Sequence, residues 1–478
     1  MERLRHFWHH LGAARAFIGG RGGNVAITFG LSILPLLTMV GVAVDGLLAY
    51  SVQAQLQKSL DAAGLAAGRA LDDDDVEPDA EAYFYGNFDA GPAVATVTSF
   101  DTEIEDDGAR IVLTATASMP THFMLLFGYD DLTIDARTVI NRDVRRMELA
   151  LVLDNTGSMW GTPFDTMKAA ALDLVDIVYG AAETHDNLWV SVVPFAATVN
   201  IGSTRTSWLA ATDRVRLRGD GDYSPSTWKG CVMASASPDD ETDKTPSTVP
   251  LRSFLYPDDT DNDWGAPRKP PTDERLAARN DGYGPNLGCG APILSLTAEK
   301  TKVKAALNGM GAWHRGGTFG NMGLVWGWNT ISPRWRGLWG GNTPNDLPLD
   351  YRAELSDKVV VLLTDGNNEV YDNPPTGPRG SDYTSYGRLF DFMPNGSTLA
   401  QGKTLMDNKM SRICTAMKGN GVIIYTITFG ASPSTSTKTL YKNCATKPEY
   451  YSHAPDNATL RTIFRRVGRQ LSNLRISG

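Results

Sequence analysis

Twenty consecutive residues from Val25 to Val44, VAITFGLSILPLLTMVGVAV, carry no charge. That is the length a helix needs to cross a hydrocarbon layer about 30 Å thick. Beyond it the apolar positions become one-sided and helical: Leu47, Leu48, Val52, Leu56, Leu60, Ala63, Leu65 and Ala66. The span thus predicts its own continuation as an amphipathic stalk over 45–71, with an Ala-rich face suited to packing on another helix. The acidic run Asp72–Asp75 ends it as a solvated turn. From Ala93 to Val144 the period falls to two in VATVTSF, RIVLTATASM and LTIDARTVI, so 72–145 reads as a β-rich region of half-buried strands.

The rest of the chain, 146–478, alternates apolar runs with helical ones. Met147–Asp154 (MELALVLD), Trp189–Phe195 (WVSVVPF), Lys358–Thr364 (KVVVLLT) and Gly421–Phe429 (GVIIYTITF) read as buried strands. Phe164, Met167, Ala171, Leu174, Val175 and Val178 mark a helix after the first. Others fall at Thr297–Met310, Gly320–Ile331, Thr404–Lys418 and Asn457–Leu474. Continuous apolar strands between helices predict a doubly wound α/β domain, its parallel sheet covered on both faces. Stretches at about 202–296 and 367–395 read as large insertions, and long loops of this kind are commonly functional.

Charge gives the span a direction. Arg3, Arg5, Arg15 and Arg21 precede it against the single acid Glu2, whereas Asp45, Asp61 and Asp72–Asp75 follow. The positive-inside rule places a basic segment, 1–24, in the cytoplasm, one transmembrane helix at 25–44, and everything after it outside. A cleaved signal peptide is the rival, but the apolar run is long, starts late and has no A-x-A site before Asp45. With 42% hydrophobic and 21% charged residues the chain can build cores, and a mean hydropathy of −0.23 excludes a polytopic membrane protein. Forty-five basic against fifty-four acidic side chains leave −9 with no basic block, which excludes nucleic acid as an expected partner.

The candidate chemistry lies where two predicted strands end. Asp154, Thr156 and Ser158 follow MELALVLD on one side of a tight turn, and Asp365-Gly366 follows KVVVLLT. In open α/β sheets ligands bind at the carboxyl ends of strands. Carboxylates and hydroxyls are hard oxygen donors, suited to Mg²⁺. The alternative is that the hydroxyls cap the following helix. A phosphohydrolase needs D-x-D, where Thr156 stands, and an aspartic protease needs D-T/S-G on both sides, so an enzyme is not expected. His6, His9, His10, His185, His314 and His453 adjoin no evident nucleophile.

Other signals are read as decoys or packing. Arg218-Gly219-Asp220 is a common chance triplet. Asp259, Asp261 and Asp263 mimic a calcium loop, but Trp264 and Pro270 stand where its Gly and Glu belong. Five of the eleven Trp lie between Trp313 and Trp339 and read as core packing, with an aromatic partner rim as the alternative. The four cysteines allow three pairings. Cys231 and Cys289 bracket a Pro/Asp-rich segment and Cys414 and Cys444 flank a strand, so the expected disulfides are 231–289 and 414–444. Zinc is the rival, without C-x-x-C spacing or paired His.

These motifs together resemble von Willebrand factor A domains and their metal-ion-dependent adhesion site: D-x-S/T-x-S, a distant Thr and a distant Asp. The resemblance implies Asp154, Thr156, Ser158, Thr318 (in Arg315-Gly316-Gly317-Thr318) and Asp365 as the metal set. Hydroxyls would contact Mg²⁺ (or Mn²⁺ or Ca²⁺) directly, and the aspartates mostly through water. The long helix before a small antiparallel sheet resembles a pilin-like subunit. Arg21-Gly22-Gly23-Asn24, the apolar span, Val44-Asp45, Leu56-Gln57 and Asp61-Ala62-Ala63 are similar to the start of TadG-like proteins of bacterial Flp (tight adherence, Tad) pilus assembly. So are Trp228-Lys229-Gly230-Cys231, Gly323–Trp328 and Tyr450-Tyr451. Thr28 stands where processed relatives carry Glu, so the anchor is expected to be retained. The resemblance implies a single-pass protein of the bacterial inner membrane, its bulk periplasmic, that binds other Tad pilus components or a surface ligand offering an acidic residue. A released surface adhesin is the alternative, and a metal-dependent hydrolase a weaker one.

Overall fold

The N-terminal helix is longer than its apolar run. In the computed structural model α1 spans Gly23–Ala67, with Pro35 inside it. The structure describes residues 23–68, 73–89, 94–105, 110–141, 145–216, 228–257, 262, 285–313, 315–372 and 378–476. The basic segment before Gly23, the Arg218-Gly219-Asp220 triplet, the Asp259, Asp261 and Asp263 positions and His314 lie outside these. The chain forms two compact units, Met1–Arg142 and Asp143–Gly478.

In the first unit, burial along α1 changes character near Asp45. Val25, Ile27, Leu31, Leu34 and Met39 are largely exposed, whereas Val52, Leu56, Leu60, Ala63 and Ala67 are buried. Steps of four, four, three and four keep these five on one stripe. Leu47 and Leu65 fall off it and are exposed, so the apolar face is narrower than the sequence suggests. A second helix, α2 (Asp73–Asn87), begins inside the acidic run where a turn is expected; carboxylates suit the positive end of a helix. Its Val76, Ala80 and Phe84 join the core. Three antiparallel strands follow, β1 (Thr96–Glu105), β2 (Arg110–Pro120) and β3 (Asp131–Asn141), in that order. The small-residue face of α1 therefore packs on a sheet as well as on a helix. A Cβ at Gly64 would lie 2.4 Å from the Ile140 methyl.

The second unit is built on a six-stranded sheet. Its strands are β4 (Arg146–Asp154), β5 (Leu188–Phe195), β6 (Leu294–Thr297), β7 (Ser356–Thr364), β8 (Ile423–Phe429) and β9 (Tyr451–Ala454). They are ordered β9-β8-β7-β4-β5-β6, parallel except for β6 at one edge. Strand order thus reverses between β4 and β7, the switch point at which doubly wound sheets bind ligands. The four-residue strands β6 and β9 are too short for a periodic signal. β6 closes the stretch read as an insertion and forms the sheet edge.

Both faces are covered. Leu149, Leu151 and Leu153 of β4 pack with α3 (Thr162–Tyr179), α4 (Lys300–Gly309) and α8 (Asn457–Ile476). Ala150 and Val152 face the other way, towards α5 (Gly320–Ile331), α6 (Leu399–Gly419) and α7 (Thr435–Cys444). Trp326, Trp335 and Trp339 are buried with Trp208 in edge-to-face contact, centroids 5.3 Å apart for Trp208–Trp335. Most of the Trp-rich stretch is therefore core. Cys231 pairs with Cys289 and Cys414 with Cys444, as the bracketing predicts, and zinc is displaced as their role.

At the far end of β4 from the candidate site, Glu148 faces Lys358 of β7 in register. Both are buried and form an ion pair. Lys358 also donates to the Ile331 carbonyl at 2.7 Å, and Glu148 accepts from the Leu349 N–H at 2.5 Å. Lys358→Met should destabilise the domain by about 3–5 kcal/mol, since it strands a buried carboxylate. Adding Glu148→Leu should restore most of that loss. Chemical denaturation of both variants checks this, and an unrescued double variant would show that the cost lies in packing.

Candidate functional site

Asp154 is the last residue of β4 and is fully buried. Its Oδ1 accepts from the Thr156 N–H at 2.8 Å and the Thr156 hydroxyl at 2.6 Å, and its Oδ2 from the Thr364 hydroxyl at 2.6 Å. Met159, wholly buried, pins the turn beneath it. Asn155 ties the turn outward, donating its side-chain amide to the Gly311 carbonyl at 3.0 Å. The exposed Ser158 hydroxyl donates to Asp365 Oδ1 at 2.7 Å. Four of the five expected residues thus form one hydrogen-bonded cluster across the switch point. No side chain caps α3, whose N-cap is Gly161, so the helix-cap alternative for the hydroxyls is set aside.

Thr318 reaches the same edge by another route. It pairs in antiparallel bridges with Glu369, four residues beyond Asp365. Among the described residues no hydrogen bond joins its hydroxyl to the other four. The loop that delivers it is forced: Arg315, Gly316 and Gly317 all have positive φ, at 93°, 82° and 104°. A Cβ at Gly317 would lie 2.1 Å from the Glu369 carbonyl oxygen, and one at Gly316 2.3 Å from the Ala197 methyl. The unfavourable φ of Arg315 is held by a buried carboxylate, Asp382. Arg315 donates to it at 2.8 and 3.1 Å, and the Gly316 N–H at 3.1 Å.

Thr156 and Ser158 each place a hydroxyl against a carboxylate. Their two oxygens also lie 3.0 Å apart, within hydrogen-bond distance with either as donor. Adjacent vertices of an Mg²⁺ octahedron with bonds of 2.0–2.1 Å are about 2.9 Å apart. The 3.0 Å spacing of the two oxygens matches neighbouring ligands of such a cation. The carboxylates fit it as well. Burial, then the charge of Asp154, pushes Asp365 up to about 7, and burial also raises Asp154. Among the described residues no Lys or Arg pairs with either.

Three contributors escape the sequence motif. Among the described residues Thr364 supplies the only hydroxyl on Asp154 Oδ2, and its place just before Asp365 is the signal for it. Tyr441 lies behind the pair, its phenol raised by burial and then by Asp154; nothing in the sequence marks it. Asp382 lies 67 residues from the arginine it holds and leaves no local signal either.

Residues 23–70 match the family model of Flp pilus-assembly TadE/G-like proteins. That segment covers the apolar span and all but the last residue of the expected stalk. Among solved structures the chain is similar to proximal thread matrix protein 1 of the mussel byssus, at 14% identity and TM-score 0.31, over 69% of this chain and 47% of that one. The present chain therefore spans about half of that protein. A crystal form of it is described as having a zinc-occupied MIDAS motif. The vWF domain of the type V pilus tip protein Mfa5 from Porphyromonas gingivalis is 11% identical, with TM-score 0.36, over 68% of this chain and 95% of that one. The pilus adhesin SpaC from Lactobacillus rhamnosus GG is 9% identical, with TM-score 0.35, over 79% and 34%. A comparison with curated proteins finds no match.

The Thr318 loop yields a stability prediction. Gly317→Ala should lower the melting temperature of the second unit, since the clash adds to about 1–2 kcal/mol for a left-handed Ala. Gly366→Ala is the control, because nothing lies within 4 Å of its Cβ. Equal melting temperatures for the two variants would mean that the loop relaxes freely.

Proposed function

We propose that this chain is a membrane-anchored component of a bacterial Flp (tight adherence) pilus system that binds a protein partner through a divalent cation. The N-terminal family match supports the pilus assignment. The single observation that carries the binding site is the meeting of two buried carboxylates, Asp154 and Asp365, at the switch point, with no Lys or Arg paired to either among the described residues.

In this reading Thr156, Ser158 and Thr318 hold the ion by their hydroxyls, while Asp154 and Asp365 hold it mainly through water. The ion would be Mg²⁺, with Mn²⁺ or Ca²⁺ as substitutes. Its chemistry when bound is that of a hard Lewis acid able to accept a carboxylate from outside. The chain's own part is to pre-orient. Asp154 fixes Thr156, Thr364 fixes Asp154, and the two glycines bring up Thr318. Ser158, exposed, marks the open side where an Asp or Glu of the partner enters. Such a contact strengthens as the partner excludes water. The site is read as binding without reacting, because Thr156 stands where a phosphohydrolase needs its second acid. For location, α1 anchors the chain in the inner membrane with the basic N-terminus in the cytoplasm, and the two disulfides suit a periplasmic compartment.

Two experiments test this. Asp154→Ala or Thr318→Ala should abolish capture of a cross-linked envelope partner and pilus function while the melting curve stays cooperative, and EDTA should do the same to the wild type. Full capture in EDTA would end the metal reading. For the anchor, a reporter active only in the cytoplasm should work when fused before Arg21 and fail when fused after Leu71. The reverse pattern would overturn the topology, and recovery of the intact second unit in the medium would favour a released adhesin.

A further inference from the structure

The turn between β2 and β3 carries the sequence Phe123-Met124-Leu125-Leu126-Phe127-Gly128-Tyr129, free of charge. Met124–Phe127 form a single 3-10 turn with no buried residue. Leu126 is 80% exposed, and Phe123, Leu125, Phe127 and Tyr129 are each exposed by about half. A hairpin tip facing water has no reason to display five large apolar side chains. Exposed apolar clusters of this kind mark a contact surface.

Its position says which surface. Phe123 packs on α1 at Gly41, where an added Cβ would lie 2.6 Å from the ring. Gly41 is inside the uncharged run, three residues before its end at Val44. At 1.5 Å per residue the contact lies about 4–5 Å within the span. The tip is fixed there. The fully buried carboxylate of Asp45 accepts from the backbone N–H groups of His122, Phe123 and Met124 at 3.2, 2.8 and 2.7 Å. Exposed polar residues, His122, Asp130 and Asp131, rim the tip.

We propose that this hairpin tip inserts into the lipid bilayer beside α1 as a second, monotopic membrane contact. The occupant is the acyl and headgroup boundary of the leaflet in which the span ends. Apolar side chains buried a few ångströms at that boundary, with an aromatic ring among them, are the usual composition of an interfacial anchor. Asp45 thereby holds the tip at a set depth on the helix that fixes the position of the membrane. The inference rests on the reading of α1 as a span.

The test separates the two. Leu126→Cys in the full-length chain, whose native cysteines are all in disulfides, is labelled with a polarity-sensitive fluorophore and reconstituted into phosphatidylcholine/phosphatidylglycerol vesicles containing brominated lipids. Leu31→Cys reports the span, and Glu103→Cys the water-exposed far end of the sheet. The expected result is a blue-shifted label at 126, quenched severalfold more than that at 103, with 31 also quenched. Quenching at 31 without quenching at 126 would overturn the tip and leave the anchor standing. No quenching at 31 would overturn the anchor, and the tip with it. A label at 126 shielded from aqueous iodide yet untouched by brominated lipid would mean that a second copy or another subunit covers it, and would equally overturn the proposal.

Discussion

Strand β4 is buried at every position but its first, so any polar side chain it carries must find a partner. Two of the buried ones carry charge, Glu148 and Asp154, one near each end, and β7 supplies a partner to each. Glu148 meets a cation of the chain itself, Lys358. Asp154 meets neutral donors, the hydroxyls of Thr156 and Thr364 and the Thr156 N–H. Asp365 then adds a second carboxylate, which accepts from the Ser158 hydroxyl. One end of the strand pair is therefore neutral and closed, while the other gathers acid without a cation among the described residues. That asymmetry separates structure from site, because a buried carboxylate without a cation is costly unless something else supplies the charge.

The long segments outside the sheet matter to the same end. Thr318 stands on a loop with positive φ at three successive residues, a conformation that glycine accepts at 316 and 317 but that is unfavourable at Arg315. It is kept in place by Asp382, Glu369 and the Tyr256 hydroxyl, which accepts from Arg315 at 2.9 Å. Tyr256 belongs to one long segment and Asp382 to the other. What reads in sequence as loop excess serves in part as the buttress for one side of the site. Cys231 and Cys289 close the first of these segments on itself, and Tyr256 packs in the same small cluster as both cysteines.

How much was legible follows from how local each signal is. MELALVLD and KVVVLLT are continuous apolar runs ending in an acid, so their strands, their central place and the ends that meet at the site could all be read. The Asp154-Thr156-Ser158 spacing is equally local. Thr318 needed family resemblance, because its contribution depends on a loop shape set by residues far along the chain. Asp382, Tyr441 and the edge strands β6 and β9 were invisible for the same reason: each is short or isolated, and its meaning comes from a tertiary partner. The acidic run at Asp72–Asp75 misled in the opposite direction. Four acids resemble a solvated turn, yet acids are also what the first turn of a helix tolerates best.

The first unit shows the same logic under a change of solvent. Along α1 the helix never breaks, but the surface that satisfies it does. Apolar side chains before Val44 are exposed, whereas the stripe Val52, Leu56, Leu60, Ala63 and Ala67 is covered by α2 and the sheet. Between them sits Asp45, a carboxylate with no accessible surface and three backbone donors. A charge at that position would be costly in lipid and unremarked in water. It is tolerable here because the β2–β3 turn folds back to solvate it with N–H groups. In doing so the turn must bring its own side chains to the end of the apolar run. If α1 spans a bilayer as proposed, the apolar character of Phe123–Tyr129 is what that placement requires, because a polar tip held against Gly41 would meet hydrocarbon.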